Sequence, residues 1–336
     1  MNFPPMMSRQ KIFASGWRQF PPLALAALLS VVLATALPSS LHAAPFAYIP
    51  NEGSGTISII DTASDRVIAE MPAGIKPRGL AVGPDQRWLY VSDQPNNRLQ
   101  LINLATRTLG AAVALGESPE GVSMSPDGRW VVAAVEGKNE IAVIDTRTQA
   151  LAFSITVRGK NPEHAVFSPD GRLLFVSAEE GDAVDIVDFA SRRQLSQVAV
   201  GARPRGIGFL PDSSRAYVAT ENSNEVFVID TRSFAILARV RAGVRANGIA
   251  VHPSGSQVYV SNGGDASVSV IDSASNRVIA TIPVGQRPWN MAMTPDGKKL
   301  YVANGRSNSV SVIDTATRAQ IREIPVGKLP WGVVIR

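Results

Sequence analysis

Seven residues that could do chemistry recur at a single position along the chain. They are Arg78, Glu120, Glu163, Arg205, Asn247, Trp289 and Trp331, spaced by 42 residues with one step of 43. Arginine offers planar, permanently charged donors for anions. Glu163 is followed by His164, and such a pair can pass protons. Indole faces stack planar groups and attract cations. Gathered in one place with Arg287, these residues predict a site that stacks a planar or apolar group on Trp289 and Trp331 while Arg78 or Arg287 holds an anionic part. The alternative is structural: the two indoles pack over a channel and the charges keep loops soluble.

The positioning elements follow from the same period. An apolar run closed by Asp or Asn ends at Asp61, Asn103, Asp145, Asp188, Asp230, Asp272 and Asp314, again 42 or 43 residues apart. Within one unit, 247–251 (NGIAV), 258–261 (VYVS), 267–272 (SVSVID) and 277–284 (RVIATIPV) are short β-rich runs divided by turn residues, without helical periodicity. Four strands in about 42 residues make a propeller blade. The expected fold is therefore all-β: a seven-bladed β-propeller of four-stranded blades. Residues 333–335 supply a first strand and 46–49 a second, so the C-terminal strand should pair with the N-terminal strands and close the ring.

Seven equal carboxyl or amide groups are not needed by any catalyst. An Asp that ends a strand before Thr or Ser accepts hydrogen bonds from the next turn, so this series is expected to build the fold. The Pro-Asp-Gly turns at 126–128, 169–171 and 295–297 are read the same way.

The Tyr-Val pairs at 90, 217, 259 and 301, extended to Tyr-Val-Ser-Asn and Tyr-Val-Ala-Asn in the last two, are each followed by Asp or Asn thirteen residues after the Tyr. They resemble the YVTN-type propeller repeat over essentially the whole of 44–336. The segments 285–289 (GQRPW) and 326–332 (VGKLPWG) resemble, more narrowly, secreted propellers associated with PQQ-dependent alcohol catabolism. That resemblance implies a non-catalytic accessory that binds a ligand or a protein, beside a periplasmic quinoprotein system. Related propellers also include lactonases or lyases, for which Arg78 or Arg205 would stabilise negative charge and Glu163 or His164 would act as base. Single-stranded nucleic-acid binders of this repeat type are a third class, served by stacking on the two Trp residues.

Composition narrows these classes. The chain has 336 residues and no cysteine, which excludes a lipoprotein anchor, disulfides and thiolate metal sites. Arg9, Lys11 and Arg18 precede an apolar or small run at 23–37, then Pro38 and the small residues Ala43 and Ala44. This is the layout of a secretory signal at 1–43, and its apolar run is shorter than the roughly 20 residues that span a bilayer. The expected location is a bacterial periplasm or the cell exterior, with one domain over 44–336, a monomer with no membrane span. Removing the leader lowers Lys+Arg from 33 to 30 against 28 Asp+Glu, so the net charge of +5 drops to about +2. Such a chain is not a broadly basic nucleic-acid binder.

No cofactor is expected, and no resident metal. Two histidines in different blades, His164 and His252, cannot form a His-rich cluster. A carboxylate site is left open, without an Asp-rich calcium loop to mark it.

In a four-strand blade, the loop leading into the inner strand and the loop joining the second and third strands share one face. On that face Glu117, Glu120, Glu136, Glu140, Glu163, Glu179, Glu180 and Asp182 meet only Lys138 and Lys160, a sector of −6. Arg287, Arg306, Lys328, Lys76 and Arg78 meet only Glu52, a sector of +4. The expectation is an acidic arc facing a basic, aromatic arc.

Overall fold

Alternating Val, Ile, Leu and Tyr residues at period two dictate strands with one face turned to each neighbouring sheet, and the computed structural model consists of such sheets. It describes residues 45–336, so the expected leader lies outside the described residues. Seven four-stranded antiparallel sheets follow one another around a ring. Six are meanders: blade 2 (77–114), blade 3 (119–156), blade 4 (162–199), blade 5 (204–241), blade 6 (246–283) and blade 7 (288–325). Strands are lettered a to d from the channel outward. Blade 1 takes strand a from Val334–Ile335 and strands b to d from Phe46–Asn51, Thr56–Asp61 and Arg66–Pro72.

Closure of the ring rests on Ala47 pairing with Ile335 and Tyr48 with Val334. Phe46 and Arg336 add reciprocal amide-to-carbonyl bonds of 2.8 and 3.0 Å, and the Trp331 amide donates to Pro50 O at 2.9 Å. The apolar core is divided among the blade interfaces. Ala47 and Ile49 of blade 1, for example, pack with Tyr301, Ala303 and Val312 of blade 7. Tyr90, Tyr217, Tyr259 and Tyr301 are fully buried on strand b. Each such large side chain stabilises by about 1.5–3 kcal/mol through burial alone. No helix among the described residues is long and apolar enough to cross a membrane.

The in-phase polar residues are structural throughout. All seven strand-c terminal residues accept from a backbone amide two or three positions on. Asp230 Oδ1 takes the amides of Arg232 (3.0 Å) and Ser233 (2.7 Å), and Asn103 Oδ1 takes those of Ala105 and Thr106 (3.0 Å each). The following hydroxyl reaches back to the a–b turn, as Thr315 Oγ1 does to Gly297 O at 2.6 Å. That turn needs Gly because its φ is +74°. The Asn of the Tyr-Val-x-Asn run braces the blade interior: Asn262 Nδ2 donates to Ser267 Oγ (3.0 Å) and Ser269 Oγ (2.9 Å).

Candidate functional site at the channel mouth

Three sets of loop positions, each repeating with the blades, supply the mouth of the channel. The fifth residue of each loop leading into strand a gives the ring from Arg78 to Trp331. The first residue after strand b gives a second: Glu52, Gln94, Glu136, Glu179, Glu221, Gly263 and Gly305. The third residue of the leading loops adds Arg203 and Arg287, both in left-handed backbone near φ +60° and +56°. Together they enclose a cavity of about 380 Å³. Of the nine residues expected at the site, eight line it: Arg78, Glu120, Glu163, Arg205, Asn247, Arg287, Trp289 and Trp331. His164 stands behind the wall.

The charges interlock instead of separating into arcs. Arg78 spans from Glu52 in blade 1 (3.2 Å) to Glu120 in blade 3. Arg205 is the hub of the other flank, touching Glu163 Oε1 (2.7 Å), Glu179 Oε2 (2.9 Å) and Glu221 Oε2 (2.9 Å). Glu221 also accepts from Arg287 Nη2 at 2.8 Å, and Arg203 pairs with Glu179. The acidic arc is therefore not left bare: Arg78, Arg203 and Arg205 reach into it. Long guanidinium side chains reach across blade boundaries, because a buried carboxylate without a countercharge is costly.

Seven glutamates (52, 120, 136, 163, 179, 180 and 221) face five arginines (78, 203, 205, 245 and 287), so the mouth keeps an excess of carboxyl groups. Glu120 is pushed up to about 8, by burial first and then by the charge of Glu163, with Arg78 working against both. Glu179 is pushed up to about 7, again by burial and then by Glu163. Burial also raises Glu136. Glu163 goes the other way: burial opposes ionisation, but the charge of Arg205 holds the carboxyl below its usual range.

The two tryptophans are not equivalent. Trp331 is only 8% exposed, and its ring lies 5.5 Å from that of His164, three blades away. It crosses the channel as a plug. Both indoles line the cavity, but Trp331 is the more deeply packed of the two, against His164. Trp289 is half-buried on the cavity wall with the Arg287 guanidinium 5.8 Å from its ring centroid. Glycine makes this possible. A Cβ at Gly305 would stand 3.3 Å from Trp289 Cε3, and one at Gly263 2.9 Å from Arg287 Nη1.

As an acid–base pair, Glu163 and His164 are poorly disposed. The Glu163 carboxylate is taken by Arg205, while the His164 ring sits against Trp331 with its basicity lowered by burial. Glu221 and Arg203 are functional-looking residues that the leading-loop fifth position does not reveal. The 42-residue spacing of the position after strand b would have found Glu221.

Seven blades and a polar channel mouth define the class: a closed β-propeller presenting a loop-built cavity at that mouth. The chain belongs to the YNCE-like beta-propeller family, whose model matches residues 20–335. Among solved structures it is similar to Kuenenia stuttgartiensis hydrazine synthase, at 23% identity and a TM-score of 0.76 over 85% of this chain and 99% of that one. A functionally unknown protein of Desulfotomaculum acetoxidans matches at 17% identity and 0.76, over 86% and 98% of the two chains. A candidate 6-phosphogluconolactonase of Bacteroides uniformis matches at 19% and 0.73, over 87% and 100%. These likenesses show the fold alone. No curated protein matches the sequence.

Proposed function

We propose that the protein is a non-catalytic binding propeller, exported to the periplasm or beyond, that receives a small ligand or a segment of a protein partner at the channel mouth. One observation carries this reading. The seven leading loops converge on one cavity whose arginines are already paired with glutamates, while Trp289 remains half-exposed on its wall. Such a surface is pre-organised to hold a molecule. A lactonase or lyase would need an unpaired cation and a free base facing one substrate, and here Arg78 is taken by Glu52 and Glu120 while Arg205 and Glu163 hold each other. Single-stranded nucleic acid would bring phosphates to a mouth with excess carboxyl groups. The endings that resemble PQQ-associated propellers make a quinoprotein alcohol-oxidation system the first place to seek the partner.

The test is native mass spectrometry of the exported protein, together with capture from periplasm. The reading expects a co-purifying molecule or partner that Trp289→Ala loses while keeping most of the thermal stability. Identical capture by wild type and Trp289→Ala sinks it.

A further inference from the structure

One wall of the cavity has the make-up of a cation site. Glu136, Glu163 and Glu179 each turn a carboxylate oxygen to a common point, all within 4.8 Å of one another. Oxygens bound to a calcium ion at about 2.4 Å lie no further apart than that. Glu136 is the member with no arginine. Its two oxygens accept only from Ser118 Oγ (2.6 Å) and Asn161 Nδ2 (3.2 Å).

Clustered acids alone are common on loops; Glu120 is the independent sign. Its side chain has no accessible surface, and it stands on the wall of the same cavity. Oε1 accepts from Arg78 and Gln94, whereas Oε2 has no hydrogen-bond partner. A buried carboxylate oxygen normally finds a donor, because leaving it bare forfeits its hydration. Here the charged groups that act on it, apart from Arg78, are Glu163 and Glu136, which are acceptors like itself. A positive charge placed among Glu136, Glu163 and Glu179 would offset this crowding of negative charge, which also bears on Glu120.

We infer that this wall binds one hard divalent cation, calcium-sized, through Glu136, Glu163 and Glu179, with Glu120 as the fourth carboxylate behind them. An all-oxygen set without Cys or His selects calcium, magnesium or manganese over zinc and copper. The irregular placement of the carboxylates favours calcium, which accepts six to eight oxygens, over magnesium, which demands a regular octahedron. The open side faces the cavity, so water or a bound ligand completes the shell. The arginines that hold Glu163 and Glu179 fix the orientation of the ligating carboxylates, as hydrogen-bonding partners around metal sites do.

The inference is tested on the full chain after stripping with EDTA. Calcium chloride is titrated by calorimetry, and terbium by luminescence sensitised through Trp289 and Trp331, which line the same cavity. One saturable site is expected, with calcium displacing terbium. Glu136→Gln should weaken calcium by about tenfold or more, and Glu120→Gln should weaken it too, with the circular dichroism of both variants unchanged from wild type. Saturation by manganese or magnesium in place of calcium, lost in Glu136→Gln, supports the site and corrects the ion. No saturable binding of any of the three ions up to millimolar concentration overturns the inference, as does equal binding by wild type and Glu136→Gln. Absent metal binding with Trp289-dependent capture intact removes the cation site and leaves the binding reading standing. Metal binding with no such capture does the reverse.

Discussion

The two faces of this disk carry carboxyl groups at the same 42-residue rhythm and use them in opposite ways. On the face of the a–b and c–d turns, Asp61, Asp145, Asp188, Asp230, Asp272 and Asp314 each accept local amides or hydroxyls. At Asp145 the Arg129 guanidinium, 2.6 Å away, is the first cause of a lowered value, and at the other five these short-range bonds hold the carboxyl below the usual carboxylate range. At the channel mouth Glu120, Glu136 and Glu179 are raised, because burial and the charge of Glu163 outweigh their donors. Repetition with local satisfaction builds a fold. Variation with burial and long-range pairing stores electrostatic stress at one spot, where a ligand can relieve it.

The largest effect should come from breaking the network that contains this stress. Arg205 is 12% exposed and serves three carboxylates. Arg205→Ala should cost about 3–5 kcal/mol in urea unfolding, the range for removing one partner of a buried ion pair. A loss under about 1 kcal/mol would mean that water already reaches these glutamates, and the contrast between the faces would vanish.

Next in size is the difference between the tryptophans. Trp331→Ala empties the plug above His164 and should cost about 3–4 kcal/mol, as buried aromatic truncations do. Trp289→Ala should cost well under half of that, since its ring is half-buried. Equal losses would show that both indoles pack, leaving the mouth without a free aromatic edge.

The pH dependence of stability separates the faces without mutation. For Glu120 and Glu179 the folded value lies above the ordinary 4.5, so the fold keeps protons that the unfolded chain releases. Their stabilising contribution is complete below about pH 4.5 and is lost as pH rises through about 7 and about 8. The aspartates run the other way: their contribution is present above the ordinary 3.8 and is lost as pH falls through their depressed values. Glu163 and Glu221, held low by arginines, side with the aspartates. In EDTA, the urea midpoint should therefore peak at mildly acidic pH and decline toward pH 8.5. Glu120→Gln should flatten the alkaline decline and leave the acid limb in place. A wild-type midpoint constant from pH 5 to 8.5 would contradict the raised values.

The fold was legible because each blade repeats the same instructions. Period-two apolar runs, Asp-Thr or Asp-Ser turns and the two half-blades at 46–49 and 333–335 leave a closed ring as the solution that removes open edges. The loop positions of the site were legible as well, since the 42-residue step assigns each residue its angle around the channel. What the spacing lacks is reach. It says that Arg205 and Glu221 stand in one blade. It does not say that the guanidinium also extends to Glu163 and Glu179 of the preceding blade, or that Trp331 crosses to His164. Those contacts depend on rotamers chosen to neutralise buried charge and to fill the channel, and both are collective properties of all seven loops.

The smallest effect predicted is also the sharpest control on the comparison. Asp230 accepts two backbone amides and the Ser233 hydroxyl (2.8 Å), all through Oδ1. An asparagine keeps a carbonyl oxygen in that place, and Asn103 already performs the same task in blade 2 through 3.0 Å bonds. Asp230→Asn should therefore leave the urea midpoint at neutral pH nearly unchanged, while removing one titrating group from the acid limb. The same change of carboxylate to amide at Glu221 takes away the charge that Arg205 and Arg287 share, and should destabilise measurably by urea titration. If both substitutions cost alike, the carboxylates of the two faces are doing the same job, and the distinction between scaffold and site at the mouth has to be abandoned.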